Sequence, residues 1–193
     1  MKFAAARIAP PVMLLAMVSL TGVSNAQQSP PGVGENAKLS ADFESRATRY
    51  LNLRKQVAGK SSGKSDSPQE IAANQKLLAE RIKSGRPNAR QGEIFTPELT
   101  AFFRRQIKAT LRGPKSAEIR ASLQHAEPVN MKLAVNQTYP EKVPLQSTPP
   151  SLLLNLPAAP DGLEYRIVGS DLVLRDTEAN IVVDFIPELI PAS

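Results

Sequence analysis

Carboxylates and guanidinium groups set into an apolar run are the residues of this chain best suited to chemistry. The run LEYRIVGSDLVLRDTEANIVVDFI, residues 163–186, carries Arg166, Asp171, Arg175, Asp176 and Asp184 among valines, leucines and isoleucines. Paired carboxylates can divide acid and base roles in a hydrolysis, and an arginine converging with them would complete a small carboxylate-based hydrolase. The same charges also fit the wet face of a half-buried sheet, and strand register separates the two readings.

A second candidate is the segment TPELTAFFRRQIKATLRGP, residues 96–114. Its cations Arg104, Arg105, Lys108 and Arg112 lie beside an apolar stripe and could meet lipid phosphates, lipopolysaccharide or another polyanion. Tryptophan is absent and the segment is poor in exposed aromatics, so stacking on bases or sugars is not expected, and no nucleic-acid partner is. His125 is the single histidine and there is no cysteine, which excludes a histidine triad, a multi-histidine metal site and thiolate ligation. Neither GxSxG, GxGxxG, a P-loop nor an EF-hand loop occurs. No catalytic residue, metal or cofactor is therefore expected.

The elements that carry these residues start after a leader. Residues 1–26 have Lys2 and Arg7, an apolar run from Pro11 to Val23, and small Ser24 and Ala26, the layout of a cleaved secretory signal peptide. The run is short for a bilayer span and no later apolar segment is long, so no transmembrane segment is expected after cleavage, and a periplasmic or secreted location follows. The full chain has a net charge of +6, unevenly placed. Residues 81–120 hold 10 basic and 3 acidic side chains, and residues 150–193 hold 2 and 7. Either those two parts attract each other or the basic one faces an anionic partner.

The pattern implies an α+β fold. Residues 27–39 read as a disordered lead. A helical region spans 40–125: one helix from an N-cap at Ser40 with Phe43, Ala47, Tyr50, Leu53 (or Leu51) and Val57 on one face, then a flexible connector. A second helix starts at SPQE, residues 67–70, with Ile71, Leu78 and Ile82 sharing a face, and pairs with the first as a hairpin. The amphipathic helix from Thr96 and a short one over 116–125 follow. A small antiparallel β region spans 126–193, with a strand at 129–135, a Pro-rich connection holding one helical turn, and a C-terminal meander.

Register can be assigned within the meander. A two-residue turn at Gly169-Ser170 pairs Ile167 with Leu172, Tyr165 with Leu174, Leu163 with Asp176 and Glu164 with Arg175. A four-residue loop, Thr177 to Asn180, puts Val183 opposite Leu174 and Phe185 opposite Leu172, which keeps one face apolar. Eight large apolar side chains on that face contribute on the order of 10–20 kcal/mol gross, against about 0.2–1 kcal/mol for each cross-strand charge pair. The charges then belong to a scaffold. Arg166 and Asp184 remain as an outer-face pair flanking Val173.

ARQGEIFTPELTAFFRR, FESRATRYLNLRKQ and LPAAPDGLEYRIVGSDLVLRDTEANIVVDFI together resemble a family of uncharacterised exported bacterial proteins. The last of these also resembles the β-module of RcnB-like periplasmic proteins. That likeness implies a link to nickel and cobalt homeostasis, without the His-rich character it would require. The expected role is a non-enzymatic envelope protein that binds or scaffolds, its partner an anionic envelope component or another envelope protein. The alternatives are an accessory to metal stress and the small hydrolase.

Overall fold

The computed structural model describes residues 32–59, 67–124, 132–139 and 148–190. The expected signal peptide, the connector at 60–66, His125, and the proposed strand positions Val129 and Met131 lie outside them. The order is α1 (Val33–Ala58), α2 (Pro68–Gly85), α3 (Pro97–Thr110), α4 (Ser116–Gln124), a one-turn α5 (Pro150–Leu153), β1 (Leu163–Val168), β2 (Asp171–Asp176) and β3 (Ile181–Ile186). This is α+β with a terminal meander, as the sequence pattern implies.

α1 begins seven residues before Ser40, so 33–39 are helical rather than a disordered lead. Leu39 explains the extension: it lies four residues before Phe43, lengthens the apolar stripe and packs on the core. The buried stripe then runs Phe43, Ala47, Tyr50, Arg54, with Leu53 and Val57 only partly covered. α2 buries Ala79 and Ile82, but Ile71 is 46% exposed. It overhangs, although the helical period put it on the same face. α3 is built as its sequence implies: Thr96 accepts from the Leu99 amide, Pro97 opens the first turn, and Leu99, Phe102, Phe103 and Ile107 are buried.

One core joins the helices to the sheet. Phe43 of α1 lies 6.0 Å from Phe95, 5.5 Å from Phe103 and 6.0 Å from Tyr165 of β1, between ring centroids. Such aromatic contacts each add about 0.5–1.5 kcal/mol beyond area burial. The sheet's inner face supplies Leu163, Tyr165, Ile167, Leu172, Leu174, Ile181, Val183 and Ile186 to that core. Its outer face forms a smaller cluster, in which Val168, Val173 and Val182 pack on Leu133 and Tyr139. The segment 132–139 is thus a third layer. It is not the expected strand over 129–135 in its described part: Val135 and Asn136 form a turn, and the one bridge pairs Thr138 with Ile181.

β1 and β2 pair in the expected register, with Gly169 at φ 60° in the two-residue turn. β2 and β3 do so only beside their loop, where Asp176 faces Ile181 and Arg175 faces Val182. A bulge between Leu174 and Arg175 then shifts the pairing, so that Leu174 faces Asp184, Val173 faces Phe185 and Leu172 faces Ile186. The expected match of Val183 with Leu174 is replaced because the extra residue of a bulge places two consecutive side chains on one side of a strand.

The turn into β1 imposes a stricter demand. Gly162 has φ +88°, and a Cβ there would lie 2.8 Å from both terminal nitrogens of the buried Arg54. Replacing Gly162 with alanine is expected to lower stability by about 1–3 kcal/mol, from the positive φ and the displaced guanidinium together, as read by chemical denaturation.

Candidate functional site

Three groups of polar side chains stand out, and two of them are centred on buried aspartates. Asp176 ends β2 on the inner face and is fully buried. Its Oδ2 accepts from the Tyr50 hydroxyl at 2.7 Å. Its Oδ1 accepts from Arg54 Nη1 at 3.1 Å and from the Glu178 and Ala179 amides at 2.8 and 2.9 Å. Arg54 Nη2 continues to Glu178 Oε1 at 3.1 Å. One carboxylate thereby closes the β2–β3 turn and holds it against α1. Burial, reinforced by the carboxylate it donates to, pushes the Tyr50 hydroxyl far above its ordinary range, so it stays a donor. The Arg86 guanidinium lies 5.2 Å over the Tyr50 ring and pairs with Glu93 at 2.8 Å.

Asp184 is also fully buried, and it does not pair with Arg166. The bulge turns it to the inner side, against the loop that leads into α3. Gly92 and Phe185 donate their amides to Oδ1 at 3.0 and 2.8 Å, and Ile94 and Phe95 to Oδ2 at 2.8 Å each. Burial pushes this carboxyl up from its ordinary range, against the four amides that favour its charged form. Arg166 stays on the outer face, where Glu164 bridges it at 2.6 Å and Arg175 at 2.6 Å. Arg175 also donates to Asn180 Oδ1 and lies 5.5 Å over the Tyr139 ring. Burial alone would raise Glu164, but its bonds to Arg166 and Arg175 outweigh that and hold its carboxyl below the ordinary range.

The third group is the basic face of α3 with the turn after it: Arg104, Arg105 and Lys108 lie on the helix, Arg112 lies in the turn beyond Thr110, and the four differ in their engagement. Arg104 donates to the carbonyls of Glu188 and Pro187, each at 2.6 Å. It thus fastens the C-terminal turn to α3. Arg105 is 54% exposed, 4.0 Å from the exposed Glu35. Lys108 and Arg112 are exposed and have no ion-pair partner among the described residues.

Asp171, the remaining carboxylate of the run, accepts from the Glu188 amide at 2.8 Å and from Ser170. A cleft of about 410 Å³ lies elsewhere, between α2 and the β2–β3 turn, with Lys76, Glu80, Thr138 and Asn180 in its lining. Neither buried aspartate lines it. Among the described residues no three His, Cys, Asp or Glu side chains converge as a metal site, and no described helix is long and apolar enough to cross a membrane.

Arg54 and Arg86 were not singled out by the sequence pattern, which placed Tyr50 only on the apolar face of α1. The available signal was Arg54 itself: a charge four residues after Tyr50 on the face of Phe43 and Ala47. A long side chain at such a position has to meet a buried acceptor or leave the face. No protein-family model matches the chain, and no curated protein and no solved structure matches it.

Replacing Asp184 with asparagine swaps one acceptor oxygen for a donor facing amide donors, and is expected to cost on the order of 2–4 kcal/mol in urea unfolding. A second outcome follows from Glu164. Its depressed carboxyl contributes stability above its unfolded pKa of about 4.3, which is lost as pH falls through the lower folded value. Glu164→Gln should therefore flatten the acid limb of a stability–pH curve below about pH 5 while leaving its neutral region nearly parallel to the parent's.

Proposed function

We propose that this chain is a non-enzymatic protein, exported to the bacterial periplasm or beyond, that binds or scaffolds at the cell envelope. The observation that carries the proposal is how the charges are spent. The acidic C-terminal part does not neutralise the basic middle. Asp176 is met by Arg54 and Tyr50, Asp184 by backbone amides, and Glu164 by Arg166 and Arg175. The exposed cations Lys108 and Arg112 of the middle are left for something outside the described fold, as an anionic envelope component or an acidic protein would supply.

The same accounting supports a non-enzymatic role. The carboxylates suited to acid–base work are those saturated by internal donors, and the cleft between α2 and the β2–β3 turn does not receive them. Export is supported by the basic, apolar and small-residue order of residues 1–26, and the resemblance of the C-terminal run to the RcnB-like module accords with a periplasmic home.

Crosslinking in the producing cells, followed by fractionation and mass spectrometry, tests the reading. The expected result is a chain beginning at Gln27, recovered outside the cytoplasm and joined to an envelope component. A chain retaining residues 1–26 in the cytoplasm, or one with no envelope species attached, is the contrary result.

A further inference from the structure

We infer that the exposed face of α3 is a membrane-contact surface that docks on phosphate-bearing anionic lipid headgroups. This rests on the envelope-binding reading and names its partner. At 100° per residue, Arg105 and Lys108 of α3 lie about 60° apart, and Arg112 is exposed in the turn that follows the helix. Arg104 shares the neighbouring arc but is held by the Pro187 and Glu188 carbonyls, so the contact set is the other three. The opposite side of the helix is fixed in the core by Leu99, Phe102, Phe103 and Ile107. The cations are thereby presented on a rigid ridge.

The shape of this face selects the kind of anion. An exposed helical face that carries its cations outward suits a planar array of charges. Alanine at 101 and 109, both exposed, brings no large apolar side chain to insert. Attachment by this face is therefore electrostatic and peripheral, sensitive to salt and to the anionic fraction of the bilayer. Nearby acidic groups are few. Glu35 lies 4.0 Å from Arg105, and Glu98 and Glu118 are exposed toward the two ends of the basic stretch.

The test uses the chain as the cell produces it, with sedimentation on vesicles of phosphatidylcholine alone and of phosphatidylcholine with one quarter phosphatidylglycerol. Binding is expected only to the second and is expected to disappear in 0.5 M salt. The triple variant Arg105→Gln, Lys108→Gln, Arg112→Gln should bind roughly 100-fold more weakly at low salt. A matched triple at exposed cations elsewhere, Lys55→Gln, Lys76→Gln, Arg90→Gln, makes the same change in net charge and should bind nearly as the parent does. Thermal unfolding of both variants checks that the fold persists.

Equal weakening by the two triples would overturn the inference, since net charge rather than this face would then be responsible. Binding to neutral vesicles, or saturable uptake of inorganic phosphate by the chain alone, would overturn it as well. If vesicle binding fails while crosslinking in cells still captures an envelope protein, this inference falls and the envelope reading stands.

Discussion

A carboxylate taken out of water must be met by donors, and this fold is organised around two such encounters. Asp176 and Asp184 both lie on the inner side of a small sheet, where the rest of the surface is aliphatic or aromatic. Leaving either one unmet would cost several kcal/mol, a large part of a typical domain's net stability. Each is answered by a different element. Asp176 takes a tyrosine and an arginine from α1, and Asp184 takes three amides from the loop before α3. Apolar contact alone would let the helices slide over the sheet. Directional bonds at two separate points set where they rest.

The β3 bulge follows from that constraint. Uninterrupted alternation would send Asp184 to the outer face beside Val173 and turn Phe185 inward. The extra residue keeps Val183 in the core and brings Asp184 inward as well, within reach of Gly92, Ile94 and Phe95. Sequence periodicity located the three meander strands, their two turns and the whole β1–β2 register, because those depend on local alternation and on Gly169. It missed the bulge, because the donors that reward it lie about 90 residues earlier in the chain. The same limit applies to α1. Phe43, Ala47 and Tyr50 were legible from spacing, but Arg54 reads as a surface residue until its acceptor on β2 is known. The start of α1 was misplaced for a simpler reason: Gly32, Gly34 and the preceding prolines obscure a stripe that Leu39 extends.

Charge is sorted by the same geometry. The acidic excess of the C-terminal part is mostly internal, consumed in holding turns and the outer ladder of Glu164, Arg166 and Arg175. Among the cations of α3 and the turn after it, the fold recruits Arg104 to close its own C-terminal turn and leaves Lys108 and Arg112 toward solvent. A formal balance between the two parts of the sequence therefore conceals a surface that is locally positive.

The distance along the chain between the groups that meet in the core bears on when this protein can fold. Tyr50 and Asp176 are 126 residues apart, and Arg54 and Asp176 are 122. α1 and α3 thus have no sheet to cover Phe43 and Phe103 until the last strand has been made. A chain still emerging from the ribosome carries amphipathic helices without their counterpart, and cooperative closure waits for the meander. A native core therefore cannot exist until the meander has been synthesised.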